Sequence, residues 1–501
     1  MAARVKLPGS WPARLQSWVG GAWRPSTSAS VQTLPVHCSA LNKTLCEYEV
    51  AGTEDVEEAV RVATAAQREW ARWAPAERGR VLRRAADILT ERNDELSALE
   101  AFDTSRPLQE TLYVDIVSAR DALEYYGGLA ATIGGEMIQQ PNQSWAYTIR
   151  EPLGVTCGIG AWNYPMQSAG WKAAPALACG NAILFKPAED TPLTALALGE
   201  VLREAGLPDG LYNVMLGAGE TGQLLTRHPG ISKVSFTGSV PTGKAICRDA
   251  ADSLKKVQME LGGKSPLIIF EDTDLDEAVS ATMLANWYSN GEVCSNGTRV
   301  FVQASIKDRF LDELVRRTGK IKLGDPLDME TQMSALINEK HFAKVMSYIE
   351  KGQAEGARLV MGGERVSVEG DCAASACFMT PAIFDNCTDD MSIVREEIFG
   401  PVASILTFET EEEVVRRAND TDFGLSAGVF TNDIRRAHRV IREVKAGTTW
   451  INNYNLAPAE IPWIGHKSSG IGGSNGTLGI EDWTQIKSVY VEMDKVDCPY
   501  E

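Results

Sequence analysis

The feature of this sequence that most constrains its fold is the alternation of strand and helix patterns between residues 152 and 262. Apolar segments that predict strands lie at 155–160, 181–185, 211–216 and 231–236. Between the second and third segments, a helix is predicted to start at Thr191-Pro192 and to end at Gly206. Alternation over this length predicts a parallel sheet with crossover helices, and such sheets bind ligands at the carboxyl ends of their strands.

The rest of the chain extends this α/β pattern. Residues 54–104 are rich in Ala, Arg and Glu and predict helices, whereas 140–150 predicts an exposed strand or hairpin. The alternation returns from 264 to about 450, which predicts a second α/β domain. A strand pattern at 489–493 has no obvious partner nearby in the sequence, and such a tail often completes a sheet in another subunit.

The composition excludes several classes of partner. The chain has 49 basic and 67 acidic residues and a formal net charge of −18, which disfavours nucleic acid and anionic membranes because its field repels phosphate. No apolar run reaches the roughly 18 residues of a membrane span. The five histidines and ten cysteines lack metal-ligand spacing, so no metal site is predicted. Cysteines without a regular pattern indicate reduced thiols, and the predicted location is cytoplasmic.

Three short segments carry candidates for chemistry. Cys294 stands between two glycines, so its thiol is expected on an accessible loop, although an isolated cysteine is more often simply buried. Glu260 follows a predicted strand and precedes a Gly pair, which places a carboxylate at a strand end, although a lone Glu is usually a solvated charge. Asn163 follows the first predicted strand, where its amide either donates to a developing oxyanion or only forms a turn before proline.

A fourth segment points to a phosphate ligand. The sequence F-T-G-S at 236–239, with Gly243 further on, gives G-x-x-x-x-G at a predicted strand-to-helix turn. The N-terminus of the following helix would favour a pyrophosphate. By itself this pattern is not specific.

In combination these segments resemble the aldehyde dehydrogenase superfamily. The matching motifs are Cys294 in G-x-V-C, Glu260 in E-L-G-G-K, Asn163 in W-N-Y-P, F-T-G-S at 236–239 and E-E-I-F-G-P at 396–401. The separation of 34 positions between Glu260 and Cys294 also matches. The resemblance extends from W-V-G-G at 18–21 to the terminal strand.

The resemblance implies an α/β fold with a Rossmann-like cofactor domain, an α/β catalytic domain and a small β oligomerisation sheet. The expected ranges are 1–128 and 151–260 for the NAD-binding domain, 261–465 for the catalytic domain, and 129–150 and 484–501 for the sheet. It also implies a homo-oligomer, a dimer or a tetramer, with the homotetramer as the expectation.

The resemblance further implies the catalytic set of Cys294, Glu260, Asn163 and Lys172. Attack of the Cys294 thiolate on an aldehyde would give an oxyanion held by the Asn163 amide and the Cys294 backbone N–H. Hydride transfer to NAD would leave a thioester, and Glu260 would activate water to hydrolyse it.

For the cofactor, the resemblance implies NAD rather than NADP. Glu189 in K-x-x-E would bond the adenosine ribose, and its carboxylate would repel a 2′-phosphate. Glu397 would bond the nicotinamide ribose and Phe399 would pack beside the ring. The full expected set is Trp162, Lys186, Glu189, Gly238, Ser239, Gly243, Glu397 and Phe399.

Substrate residues follow from a narrower resemblance. The segments C-S-N-G-T-R at 294–299, L-E-Y-Y at 123–126 and N-Y-N at 453–455 are similar to the branch that oxidises betaine aldehyde and 4-trimethylaminobutyraldehyde. A trimethylammonium group requires aromatic faces because it cannot donate a hydrogen bond. The expected rings are Tyr164, Trp171, Tyr288 and Trp463. The same rings could line a tunnel for any apolar aldehyde.

One departure from the family pattern lies near the C-terminus. Where the family has Arg-Glu, this chain has Gly473-Ser474, and the missing Glu is associated with relaying protons from the general base. Three alternatives stay open at this stage: a general aldehyde dehydrogenase, a CoA-acylating dehydrogenase, and a non-enzymatic binding or structural protein on the same fold.

Overall fold

The structure is a computed structural model and describes residues 11–28, 30–369 and 372–500. Its helices, α1 to α16, are Thr53–Trp70, Pro75–Glu91, Asn93–Thr104, Leu108–Glu110, Ile116–Leu129, Pro165–Ala178, Leu193–Glu204, Gly219–Arg227, Val240–Ala251, Leu275–Trp287, Lys307–Thr318, Glu339–Ala354, Ser392–Arg395, Glu411–Asn419, Ile434–Glu443 and Leu478–Asp482. Short 3₁₀ segments are Ala130–Thr132, Pro141–Gln143, Tyr288–Gly291 and Ala304–Ile306, and a π segment is Thr111–Asp115.

The strands, β1 to β25, are Arg14–Leu15, Ser17–Val19, Ala22–Arg24, Thr33–Cys38, Lys43–Glu49, Met137–Gln139, Trp145–Pro152, Val155–Ile159, Ala182–Lys186, Tyr212–Val214, Lys233–Thr237, Lys256–Glu260, Pro266–Ile269, Arg299–Gln303, Arg358–Met361, Ala382–Asp385, Val402–Phe408, Phe423–Gly424, Ser426–Phe430, Thr448–Ile451, Trp463–Ile464, His466–Lys467, Gly470–Ile471, Gly473–Ser474 and Thr484–Val491.

The predicted alternation between 152 and 262 forms the larger sheet. Its order is β23-β12-β11-β8-β9-β10-β2-β3, and the strands from β12 to β10 are parallel. Both β8 and β9 are buried along their whole length, as expected for strands covered by helices on both faces. One of these helices, α1, buries Val56, Ala59, Val60 and Ala63, which recur at helical spacing on one face.

The second predicted α/β region forms a sheet of order β15-β16-β17-β14-β13-β19-β20. All its neighbours run parallel except β15 and β16. The two α/β regions that the resemblance implied are therefore both present. The proposed ranges of the domains stay predictions, and residues 1–10, 29, 370, 371 and 501 of those ranges lie outside the described residues.

The terminal strand has its partner within the same chain. Strand β25 pairs antiparallel with β7 along eight positions, and β7 pairs with β6, so the order is β25-β7-β6. The expectation of a hairpin near 140–150 is correct. The sequence offered no partner for the tail because β7 and β25 are separated by more than three hundred positions.

Among the described residues, no helix has the length and apolarity needed to cross a membrane.

Candidate active site

The candidate site lies where the two large sheets face each other. Four neighbouring strands of the larger sheet, β8, β9, β11 and β12, end at this cavity. Lys186, Thr237 and Glu260 are the last residues of β9, β11 and β12, and Asn163 follows β8. On the other side, Cys294 and Glu397 precede β14 and β17, two adjacent strands of the second sheet. Carboxyl ends of one sheet and amino ends of the other therefore border one cavity.

Three successive left-handed residues bring Cys294 into this cavity. Ser289, Asn290 and Gly291 have φ values of 53°, 55° and 76°. The Asn290 side chain holds this turn, since its amide donates to the Ala335 carbonyl at 3.1 Å and its oxygen accepts from the Ser334 backbone N–H at 2.8 Å. Cys294 itself is partly exposed and carries a free thiol, as expected for an accessible loop.

The electrostatic surroundings of Cys294 favour its protonated form. Burial, followed by the charges of Glu397 and Glu260, raises the pKa of the Cys294 thiol to about 12. The thiol therefore needs a base when it reacts, because the thiolate is the nucleophile.

Glu260 is the last residue of β12 and is almost fully buried. Its Oε1 accepts a hydrogen bond from the Ser474 hydroxyl at 3.3 Å, whereas Oε2 has no hydrogen-bond partner among the described residues. Burial raises the pKa of this carboxyl above its usual range, and the Lys172 ammonium opposes that rise. A desolvated carboxylate with one unoccupied oxygen is suited to accept a proton.

Lys172 approaches Glu260 from helix α6 without bordering the cavity. Its ammonium donates to the Thr237 hydroxyl at 2.6 Å. Burial lowers the pKa of Lys172, and the charge of Glu260 acts in the opposite direction. Lys172 and Glu260 are thus both buried at the end of the larger sheet, where the charge of each favours the charged form of the other.

Asn163 is fixed between both sheets. Its side-chain amide donates to the Glu292 carbonyl at 2.8 Å, which leaves its second N–H for a ligand. Its own carbonyl accepts from the guanidinium of Arg106 at 2.8 Å. Arg106 is fully buried and also pairs with Asp115 at 2.5 Å and with Glu110 at 3.4 Å.

The predicted cofactor residues share one cavity of about 870 Å³, with a single exception. The residues that line it are Trp162, Lys186, Glu189, Gly238, Ser239, Glu397 and Phe399, together with Asn163, Glu260 and Cys294. Gly243 does not line it. A side chain at Gly243 would meet Leu261 at 2.7 Å, so this glycine allows helix α9 to pack closely on the sheet end.

The geometry of this cavity suits a dinucleotide. The carboxylate of Glu189 lies 3.9 Å from the Lys186 ammonium and is half exposed. Ser239 caps helix α9 and accepts from the Thr242 backbone N–H at 3.4 Å. Glu397 accepts from the Gly263 backbone N–H at 3.0 Å. Two carboxylates able to bind ribose hydroxyls and a helix N-terminus able to bind phosphate therefore line one cavity.

The four aromatic residues predicted for the substrate are only partly brought together. The rings of Trp171 and Trp463 pack edge to face with centroids 6.1 Å apart. Tyr164 has Arg106 over its ring at 4.1 Å and shares a hydrogen bond of 2.5 Å with the Ser289 hydroxyl. One face of that ring is therefore already occupied by a protein cation.

Tyr288 borders a different cavity. This second cavity has a volume of about 390 Å³ and is lined by Gln109, Glu110, Tyr113, Met283, Leu284, Trp287, Tyr288, Ile321, Gln332 and Met333. Within the described parts of the chain, neither Tyr288 nor Tyr164 makes a ring contact with Trp171 or Trp463. The left-handed turn at 289–291 separates Tyr288 from Cys294, an effect that counting six positions in the sequence does not reveal.

Several residues of the site carried no prediction. Arg106 had no local signal, because Asn163, whose carbonyl it binds, is 57 positions away. Ser235, Gln258 and Thr237 did carry a local signal that could have found them. They are polar residues in otherwise apolar strands, and they lie on the same strand faces as Glu260. His341 packs against Trp162 with centroids 5.2 Å apart and also borders the cofactor cavity.

The sequence model that describes the "Aldehyde dehydrogenase family" matches residues 23–489 of this chain. The chain belongs to the aldehyde dehydrogenase family. The predicted superfamily and fold are thereby confirmed.

Relatives within this aldehyde dehydrogenase family agree with the narrower resemblance. A protein named betaine aldehyde dehydrogenase from Brucella anthropi is 54% identical over 483 residues, which cover 96% of this chain and 98% of that protein. Its namesake from Brucella canis is 53% identical with the same coverage. The predicted resemblance to the betaine aldehyde branch is therefore confirmed.

Solved structures of the aldehyde dehydrogenase family share the whole fold. Betaine aldehyde dehydrogenase from Staphylococcus aureus, solved in complex with NAD+, has a TM-score of 0.94 at 37% identity and covers 98% of this chain and 97% of its own. An NAD+ complex of the aldehyde dehydrogenase from Bacillus cereus has a TM-score of 0.94 at 39% identity, covering 98% and 100%.

The first prediction concerns Glu260 in this aldehyde dehydrogenase. Glu260→Gln removes the base but keeps the shape, so the first turnover should still release NADH while steady-state turnover falls by about 10²–10⁴-fold. Rapid-mixing measurement of NADH absorbance separates the two phases. Glu271→Gln, at an exposed carboxylate, is the matched control and should resemble wild type in both phases. Loss of the first phase in proportion to the second would contradict a role in hydrolysis.

Proposed function

We propose that this enzyme oxidises an aldehyde that carries a quaternary ammonium group to the carboxylate, with NAD+ as oxidant and water as acyl acceptor. The observation that carries the proposal is that Cys294, Asn163, Glu260 and Glu189 all line one cavity. The names of the Brucella relatives support the substrate class.

The residues of this chain divide the reaction into two halves. In the first, the Cys294 thiolate bonds to the aldehyde carbon, and the resulting oxyanion accepts from the free N–H of the Asn163 amide. When bound, NAD+ accepts the hydride that leaves this carbon. In the second half, Glu260 takes a proton from water, which attacks the thioester and releases the carboxylate and the Cys294 thiol.

Glu189 supports NAD+ over a 2′-phosphorylated cofactor. Its side chain is 55% exposed, lines the cavity and lies 3.9 Å from the Lys186 ammonium. A 2′-phosphate there would be repelled by this carboxylate. The Staphylococcus and Bacillus structures, both described as NAD+ complexes, support the same cofactor.

Only some of the four predicted aromatic residues support a cationic substrate. Trp171 and Trp463 pack against each other and do not line the cofactor cavity, whereas Tyr164 can offer only the ring face that Arg106 leaves open. We therefore assign Trp171 and Trp463 the larger share of the recognition. Tyr288 is not needed for this proposal.

A specificity ratio tests the substrate. We expect kcat/KM for betaine aldehyde to exceed that for its neutral tert-butyl isostere by about 5- to 30-fold, because a desolvated cation over aromatic faces gains about 1–2 kcal/mol. Trp463→Ala should reduce this ratio more than it reduces activity on the neutral compound. Trp73→Ala, at an exposed ring remote from the site, serves as the matched control. Equal kcat/KM for both compounds in wild type would refute the cationic substrate.

The alternative functions receive less support. A CoA-acylating enzyme has no need of a base to activate water, whereas Glu260 borders the cavity with one oxygen unoccupied. A general aldehyde dehydrogenase is less supported because relatives that are 53–54% identical are named betaine aldehyde dehydrogenase. A non-enzymatic protein would not be expected to keep Cys294, Glu260 and Asn163 around one cavity.

We also propose that the enzyme forms homotetramers in the cytoplasm. The sheet β25-β7-β6 exposes apolar side chains that a second subunit would cover, namely Met137, Ile138, Ile149, Ile486 and Tyr490. Cysteines without a regular spacing support a reducing compartment.

A further inference from the structure

A row of three hydrogen bonds ends at Glu260, the proposed general base. In each bond the acceptor is the side chain nearer to Glu260 in the row. The Ser235 hydroxyl donates to Gln258 Oε1 at 2.9 Å, and Gln258 Nε2 donates to the Ser474 oxygen at 2.8 Å. Ser474 in turn donates to Glu260 Oε1 at 3.3 Å. All four side chains are buried, so water does not compete for these bonds.

The fold itself aligns this row. Ser235 and Gln258 are register partners on the parallel strands β11 and β12, and Gln258 and Glu260 share one face because they are two positions apart. Ser474 comes from β24, which pairs with β21 at Trp463. A side chain at Gly473 would meet Leu478 of α16 at 2.5 Å, so the glycine lets β24 pack closely against that helix.

We propose that Ser474 is a positioning residue for Glu260, fixing its carboxylate through a hydroxyl that Gln258 orients. This inference rests on the proposed hydrolytic half of the reaction. It also gives a role to Ser474, which stands in Gly473-Ser474 where the family pattern has Arg-Glu.

The row does not serve as a proton path. A hydroxyl can pass a proton on, but the carboxamide of Gln258 is neither an acid nor a base near neutral pH, and the row ends at the buried Ser235. Ser474 therefore acts by holding and stabilising the charged carboxylate, and the proton leaves Glu260 on another side.

The charged groups around Glu260 define the expected pH effect. Lys172 faces it from α6 and Asp482 from α16, while Cys294 and Glu397 lie across the cavity. Lys172 and the Ser474 hydroxyl lower the pKa of Glu260, and Asp482 raises it. Removing the hydroxyl should therefore raise this pKa. Because the base acts when deprotonated, hydrolysis should then require a higher pH.

An activated ester tests this step without NAD+. 4-Nitrophenyl acetate can acylate Cys294 directly, so the burst of nitrophenol reports acylation and the steady rate reports hydrolysis of the acyl-enzyme. For Ser474→Ala we expect the acid limb of the pH profile of the steady rate to move to higher pH by about one unit, because Glu260 loses one hydrogen bond to its charged form. The burst amplitude should stay that of wild type.

Two further variants make the test specific. Ser474→Thr keeps the hydroxyl and should return the limb to its wild-type position. Ser305→Ala removes a hydroxyl that donates to the exposed carboxylate of Glu271 at 2.5 Å, and it should leave the limb unmoved. An acid limb in Ser474→Ala that coincides with that of wild type would overturn the positioning role. A wild type that forms no acyl-enzyme would instead count against the proposed function.

Discussion

Cys294→Ala is expected to lower steady-state aldehyde oxidation by about 10⁴-fold or more, because no other group can form the covalent bond to the aldehyde carbon. NAD+ affinity should stay within about twofold of wild type, since the contacts expected to hold the cofactor come mainly from β9, β11 and the start of α9 rather than from the thiol. NADH formation and a fluorescence titration with NAD+ measure the two quantities.

The matched control for this variant is Cys46→Ala. Cys46 is also a partly exposed cysteine, but it lies on β5, outside the cavity that Cys294 borders. Its loss should leave both activity and cofactor affinity unchanged. Turnover in Cys294→Ala equal to that of the control would mean that the nucleophile has been wrongly assigned.

Arg106→Met should be the most destabilising of the single substitutions considered for this chain. The change leaves the buried carboxylate of Asp115 without its partner, and breaking such a pair costs about 3–5 kcal/mol of unfolding free energy. The variant also loses the bond to the Asn163 carbonyl and the contact with the Tyr164 ring. The midpoint of urea unfolding, followed by tryptophan fluorescence, measures the loss.

Arg61→Met is the corresponding surface substitution. Arg61 pairs with Glu58 where both side chains are more than half exposed, so solvent screens the pair and its loss should leave the midpoint unchanged. Arg106→Lys should fall between the two, since a lysine keeps the charge but cannot make the forked bond to Asp115. An unchanged midpoint in Arg106→Met would contradict the structural role of this buried guanidinium.

The parts of the site that could be predicted are those fixed by short segments of sequence. A strand followed by a turn places Glu260, Ser239 and Lys186 at the carboxyl edge of a sheet, whatever lies elsewhere in the chain. The two glycines around Cys294 predicted an accessible loop, and the combination of its motif with those around Glu260 and Asn163 marked it as the nucleophile. For these residues local pattern and final position coincide.

The parts that could not be predicted depend on contacts between distant segments. Tyr288 was placed with the substrate by its separation from Cys294, yet three left-handed residues between them direct it to another cavity. Gly243 was placed with the cofactor, but it does not line the cavity, and a side chain there would meet Leu261, which follows β12. The bond from Ser474 to Glu260 crosses 214 positions, and only the packing of β24 beside β12 creates it.

The division of the site between two sheets bears on how such an enzyme can diversify. Glu189, which we propose selects the cofactor, follows β9 of the larger sheet, and Cys294, the proposed nucleophile, precedes β14 of the second. Cofactor preference and acyl chemistry can therefore change by separate substitutions. The two halves are not fully independent, because the Asn163 amide spans the junction to the Glu292 carbonyl. A nucleophile loop transplanted from a relative would have to present that carbonyl at the same place, whatever side chains it carries.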